Sequence, residues 1–202
     1  MPTLLTLPAK LIHRILACLS QPHLSQVCLS CKTLQPLAEW RVYESVEFLF
    51  DLDVPLHTAD PEDHVGLPIQ KFFRTIWHRP ELAAHVKSAR FVTQNAFRCR
   101  VSSTPPPTDI RQAMVDAWAQ TGLPPQGVDN AIAKDDLSAV TAVVLSRLRR
   151  LARLEVGYIL LQHSPHVARI LLHMSSGGGS PTENAAAADA AYRGLTRLSV
   201  RN

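Results

Sequence analysis

No acidic residue precedes Glu39, although Lys10, Arg14 and Lys32 lie in that stretch. A basic, acid-free, amphipathic start is the composition of a mitochondrial presequence. Three prolines at helix-start positions (Pro8, Pro22, Pro36) and a single arginine, Arg14, argue against that reading. Long apolar runs are also missing: none approaches the ~18–20 residues of a membrane span. His13 and Arg14 interrupt the N-terminal run, so it makes a poor secretory signal core. Cysteines number only four (Cys18, Cys28, Cys31, Cys99). Without a signal they read as buried free thiols in a reducing compartment, the cytoplasm and/or the nucleus. Eight glycines stand against fifteen prolines, which predicts many short elements joined by stiff connections. Charged residues make up only 19%, and the net charge of +4 is too mild to indicate a nucleic acid or an anionic membrane as partner.

Catalytic chemistry is missing as well. Cys28-Leu29-Ser30-Cys31 has the spacing of a redox pair or half a zinc site, but no second ligand pair accompanies it and it lies within a helical pattern. Ser175-Ser176-Gly177-Gly178-Gly179-Ser180 lacks the lysine and preceding strand of a phosphate loop and reads as a linker into Ala185 to Ala188. His163 and His166 have no third ligand, and Asp51, Asp53, Asp60, Glu62 and Asp63 have no base or nucleophile beside them. With no Ser-His-Asp, P-loop or dinucleotide signature, neither an enzyme nor a cofactor nor a metal is expected.

What is present begins at the N-terminus. Pro8 suits a first helical position, and apolar residues follow at Leu11, Ile12, Ile15, Leu16 and Leu19. Their arc spans roughly 140°, wider than the ~100° stripe of a surface helix, which predicts one contact inside the protein and another outside it. Gln21-Pro22 restarts a helix with Leu24, Val27, Cys28, Cys31 and Leu34 on one face, and Gln35-Pro36 starts a third. About forty residues rarely build a sufficient core alone, so this unit needs the rest of the chain, a partner, or both.

Leu7-Pro8-x-x-Leu11-Ile12-x-x-Ile15-Leu16-x-x-Leu19, then Leu24-x-x-Val27-Cys28-x-x-Cys31-Lys32-x-Leu34, Leu37-Ala38 and Arg41-Val42-Tyr43 resemble the F-box of fungal F-box proteins. The likeness covers residues 4–46. It departs at Lys10, where an acidic residue is frequent, and at Leu34, near a frequent aromatic. A second stretch is similar to the same group: Phe72-Phe73-Arg74-Thr75-Ile76, then Arg79-Pro80-Glu81-Leu82 and Val86-Lys87-Ser88.

Beyond it, strands are predicted over residues 43–50, 86–93, 154–156 and 198–200. Helices are predicted over 69–85 (broken at Arg79-Pro80), 109–120 (capped by Thr108 or Asp109) and 164–174. A further helix opens at Asp135-Asp136 and carries a Leu137, Val140, Val144, Leu148 stripe. Loops are read over 51–68 and 123–127, and a polyproline stretch over 102–108. Tyr43-x-x-Val46-x-Phe48, Val86-x-x-Ala89-x-Phe91, Leu151-x-x-Leu154-x-Val156 and Leu195-x-x-Leu198-x-Val200 share one apolar spacing. It is the opening of a leucine-rich repeat, at intervals of about 43 to 65 residues where 20–29 is usual. A helix between each strand pair favours parallel strands.

The expected fold class is α/β: a three-helix F-box (1–46), then an irregular leucine-rich-repeat-like α/β region with short parallel strands (47–202), read as a truncated member. The resemblance implies a substrate receptor of an SCF-type cullin–RING ubiquitin ligase. Leu7, Pro8, Leu11, Ile12, Ile15, Leu16, Leu24, Val27 and Cys28 would face or support a Skp-family adaptor, and the remainder would present a target protein. Arg147, Arg149, Arg150 and Arg153 form the best electrostatic patch, suited to an acidic target or to compensating a helix C-terminus. The alternative is a non-enzymatic leucine-rich-repeat-like interaction module unconnected with ubiquitination.

Overall fold

The structure, a computed structural model, describes residues 7–50, 68–93 and 107–201 except 126, 135, 163 and 176–196. The loop carboxylates of 51–63, the residues expected as polyproline short of 107, Cys99, His163, the glycine-rich stretch from 176 and the alanine run lie outside the described residues.

Three short helices open the chain: α1 (Ala9–Ala17), α2 (Gln21–Ser30) and α3 (Gln35–Glu44). Pro8 is the residue before α1 rather than its first; its backbone stays extended while its carbonyl accepts the N–H groups of Leu11 and Ile12 at 2.9 and 3.2 Å. Pro22 and Pro36 sit in the first turns of α2 and α3, where a missing N–H costs nothing. α2 ends at Ser30, because Cys31 turns extended, so Cys31 and Leu34 leave the face expected of it; Leu34 precedes α3 instead. Both still pack into a small cluster built on Ile12, Leu16, Leu24, Leu34 and Ala38, all drawn from the first 42 residues.

The chain then alternates helix and strand. β1 (Ser45–Phe50) begins two residues later than expected, because Tyr43 and Glu44 complete α3. α4 (Pro68–His78) and α5 (Pro80–Ala83) are separated at Arg79, as the following proline dictates. β2 (Ser88–Thr93) and α6 (Thr108–Ala119) follow. Neither Thr108 nor Asp109 caps α6; Pro107 precedes it, and its carbonyl takes the Arg111 N–H at 2.9 Å. α7 (Val128–Ala133) was not anticipated; it is entered through Gly127 at φ 79°, a left-handed geometry that glycine adopts without steric cost.

α8 (Leu137–Arg147) opens on Asp136, whose carboxylate accepts the Ser138 N–H at 2.8 Å. It is no half-buried stripe: every residue from Ser138 to Ser146 is buried, since α4, α6, α7 and α10 (Pro165–Ser175) all pack on it. The enclosure takes in Ser138, Thr141 and Ser146 along with the apolar residues. β3 (Arg153–Gly157), a second unanticipated short helix α9 (Tyr158–Gln162), and β4 (Arg197–Arg201) complete the described elements.

The four strands form one parallel sheet in chain order, β1-β2-β3-β4. The shared apolar spacing falls into register: Val46, Ala89, Leu154 and Leu198 stand side by side, as do Phe48, Phe91, Val156 and Val200. Alternation sends these residues to one face. In β1 to β3 they join the large core, where Phe48 stacks on Phe91 at 5.3 Å and meets the edge of Phe72 at 5.3 Å. The other face is polar. Glu47, Arg90 and Glu155 stand in one row, with Arg90 bonded to Glu47 on one side and to Glu155 at 3.0 Å on the other.

Candidate functional site

The apolar arc of α1 divides into a buried and a bare half. Ile12 and Leu16 are 6% and 2% exposed inside the small cluster, whereas Leu11 and Ile15 are 44% and 41% exposed. On a helical wheel Leu11 and Ile15 lie roughly 40° apart, and the buried pair begins some 60° further round. Pro8 and Cys18 are also exposed beside the bare half. Pro8, Lys10, Leu11, His13 and Arg14 line an open depression of about 570 Å3 in this face. Two cationic side chains thus frame a largely apolar floor.

The other residues read as adaptor-facing play supporting parts. Leu24 is buried in the cluster, and Leu7, Val27 and Cys28 are half-buried against it. Burial pushes the Cys28 thiol up, and nearby Glu39 adds to the rise, so it stays protonated and packs as a small apolar side chain. Cys28 and Cys31 both contribute to this core. Among the described residues no group of three His, Cys, Asp or Glu side chains is placed to hold a metal. His166 is half-buried, edge-on to Trp118 at 6.3 Å, and burial depresses its basicity.

Sequence reasoning overlooked Leu29, which is 88% exposed on α2. The signal was there: it lies about 140° round the helix from Leu24, off the buried face altogether.

α3 holds this unit to the rest of the molecule. Glu39 takes two hydrogen bonds from Arg79, at 2.5 and 2.7 Å. Glu44 is bonded by Lys87 at 2.9 Å and Arg41 at 2.7 Å, and these cations hold its carboxyl below the usual range. The Trp40 ring lies between His13 of α1, at 5.7 Å, and His85, at 6.2 Å, with the Arg41 guanidinium 4.4 Å above it. Gln21 of α2 donates to the carbonyls of Val42 and Ser45. Because these ties come from the side of α3, they leave Leu11 and Ile15 bare.

The four predicted arginines separate into two kinds. Arg147 is half-buried, donates to Gln120 at 2.7 Å and lies 5.1 Å over the Trp77 ring. Arg149, Arg150 and Arg153 are exposed, and the register sets Arg197, also exposed, directly beside Arg153. Arg197 was missed, although the strand spacing that aligns Leu154 with Leu198 also aligns the residues before them.

The chain matches no family model, no curated protein and no solved structure. Among the described residues no helix is long and apolar enough to cross a membrane.

Proposed function

We propose that the chain is a non-enzymatic substrate receptor of an SCF-type cullin–RING ubiquitin ligase, whose first three helices dock on a Skp-family adaptor. The reading starts from the F-box-like spacing of residues 7–43. The observation that carries it is the divided arc of α1: a small self-made core with Leu11 and Ile15 left outside. Covering them against a partner would contribute roughly 1 kcal/mol each, since part of each side chain is already shielded. The α/β remainder, with its in-register strands, would present the target. Bringing a target lysine close to the ligase-bound ubiquitin carrier raises its effective concentration, so the receptor needs no catalytic group of its own.

Leu11→Asp and Ile15→Asp should each abolish co-purification of the adaptor, because a carboxylate desolvated against an apolar partner costs several kcal/mol. Stability should fall by only about 1–2 kcal/mol, because more than 40% of each residue is already exposed. Unchanged adaptor capture by both folded variants would remove the reading. The strand register favours a second one, a leucine-rich-repeat-like interaction module with no link to ubiquitin. A chain that is soluble alone and ignores the adaptor would support it.

A further inference from the structure

α1 carries two cations that its neighbours leave without an acid. Lys10 and Arg14 are exposed, one helical turn apart, and among the described residues no carboxylate pairs with either. No acidic residue precedes Glu39 in the sequence. The first two acids, Glu39 and Glu44, are already taken, Glu39 by Arg79 and Glu44 by Lys87 and Arg41. Lys10 also breaks a local rule. It sits in the first turn of α1, which holds no acidic residue, where the positive end of the helix dipole disfavours a cation. Like charges four residues apart on one helix add to the conflict. Local conflicts of this kind, with no gain to offset them, concentrate at functional sites. On the helical wheel Lys10 and Arg14 lie about 40° apart, and the bare Leu11 and Ile15 pair lies roughly 100° further round. The exposed side of α1 is thus a cationic ridge running alongside an apolar one.

We infer that α1 docks on an acidic helix of its protein partner. The apolar stripe of that helix covers Leu11 and Ile15, and carboxylates one turn apart along its flank meet Lys10 and Arg14. The inference rests on the adaptor reading's use of α1 as the docking face and adds the chemistry of the surface that meets it. Charge complementarity selects this occupant. A second copy of the chain, docking through the same face, would cover the aliphatic pair but bring cations where carboxylates are required. An anionic membrane would answer the cations. Two aliphatic side chains 44% and 41% exposed, however, bury less than the single acyl chain that already holds a protein to a membrane only marginally. Two adjacent ridges that repeat every turn are matched by the ridges and grooves of another helix, not by a fluid surface.

The test titrates the full chain with a fluorescent helical peptide bearing a leucine stripe and glutamates one turn apart on its flank, read by polarisation. One control peptide carries lysines in place of the glutamates, and phosphatidylserine vesicles are a further probe. The glutamate peptide should bind, and added salt should weaken it. Lys10→Glu with Arg14→Glu should weaken it roughly tenfold or more and switch preference to the lysine peptide. Lys10→Glu alone should raise the melting temperature of the chain without a partner, because it removes the conflict with the helix dipole, while lowering affinity for the glutamate peptide. Should the reversed pair fail to fold, Lys10→Gln with Arg14→Gln decides, because its binding should lose the salt dependence. Equal binding of the two peptides, no switch in the folded reversed pair, a lower melting temperature for Lys10→Glu, or tighter binding of the vesicles than of the glutamate peptide would each overturn the inference. The adaptor reading fails separately. Adaptor capture lost in Leu11→Asp but kept in the reversed pair would overturn the acidic flank and leave the adaptor in place. A chain that binds the glutamate peptide and ignores the adaptor would remove the adaptor and keep an acidic helix as the occupant.

Discussion

α1 and α8 are of similar length, nine and eleven residues, and both carry apolar side chains beyond a narrow stripe. Their fates differ. α8 lies under four other helices and shows nothing but its ends. α1 rests mainly on α3 in a cluster of five buried residues, and half of its arc stays in water. The breadth of an apolar arc therefore reports how much surface must be covered, not what covers it. In the large core the chain supplies the cover itself, through helices that arrive from distant parts of the sequence. In the small one, among the described residues, two neighbouring helices supply the cover, and the remainder of the arc stays exposed.

The sharpest way to break this contrast is to cut a hole in each core. Phe91 is fully buried in β2 and stacked on Phe48. Phe91→Ala should cost about 3–5 kcal/mol and shift the whole unfolding transition in denaturant. Leu16→Ala removes a comparably buried side chain from the small cluster, at about 2–5 kcal/mol locally. Its effect should stay local: amide hydrogen exchange should rise through α1 and α2 while β2 keeps its protection. If Leu16→Ala raised exchange in β2 as much as in α1, the clusters would be one cooperative unit.

A gentler perturbation sharpens the view of α8. Among the described residues the fully buried Thr141 hydroxyl of this helix has no hydrogen-bond partner, and neither has the buried Ser138 hydroxyl. Burying an unpaired hydroxyl is costly, so Thr141→Val, which keeps the shape, should stabilise the protein by about 1 kcal/mol. Equilibrium denaturation measures the gain. A loss instead would show that the hydroxyl finds a partner in solution and that the enclosure of α8 is less complete.

Features set by neighbouring residues were legible in advance. The opening of a helix at Asp135-Asp136, the break before Pro80 and the alternating pattern of β1 each follow from a few adjacent side chains. The common spacing of the strands was legible too, and register then placed Val46, Ala89, Leu154 and Leu198 together. α7 and α9 were not, since helices of six and five residues are too short to show a period. The full burial of α8 escaped because Ser138, Thr141 and Ser146 lie off the Leu137, Val140, Val144, Leu148 stripe, and only tertiary packing encloses them. At the candidate sites, periodicity marked Leu11 and Ile15 with Ile12 and Leu16 as one arc. Which pair stayed outside depended on where α3 lies. Likewise the arginine patch was read along the chain, whereas Arg197 joins Arg153 across it.

The smallest expected effect concerns the seam between the two clusters. Glu44 ends α3 and binds Lys87 and Arg41, chiefly through the Lys87 hydrogen bond that lowers its pKa when folded. In the unfolded chain the group returns to about 4.3. A carboxyl whose folded value is depressed contributes stability that is present above the unfolded value and is lost as pH falls through the folded one. The Lys87 side chain is 61% exposed, so solvent screening keeps the contribution under about 1 kcal/mol. Thermal melts stepped down through pH 5 to 3, a window set by that ~4.3 reference value, should show a shallower acid-side fall for Glu44→Gln than for the parent. Salt should narrow the difference between them, because partly exposed pairs are screened. Since Lys87 also takes the Ala152 and Arg153 N–H groups on its carbonyl, at 2.8 and 2.9 Å, acid should loosen the junction from α3 toward the start of β3 before it reaches the centre of the sheet. Exchange that rose first in α8 instead would put the weak point in the large core and reverse the contrast between the two regions.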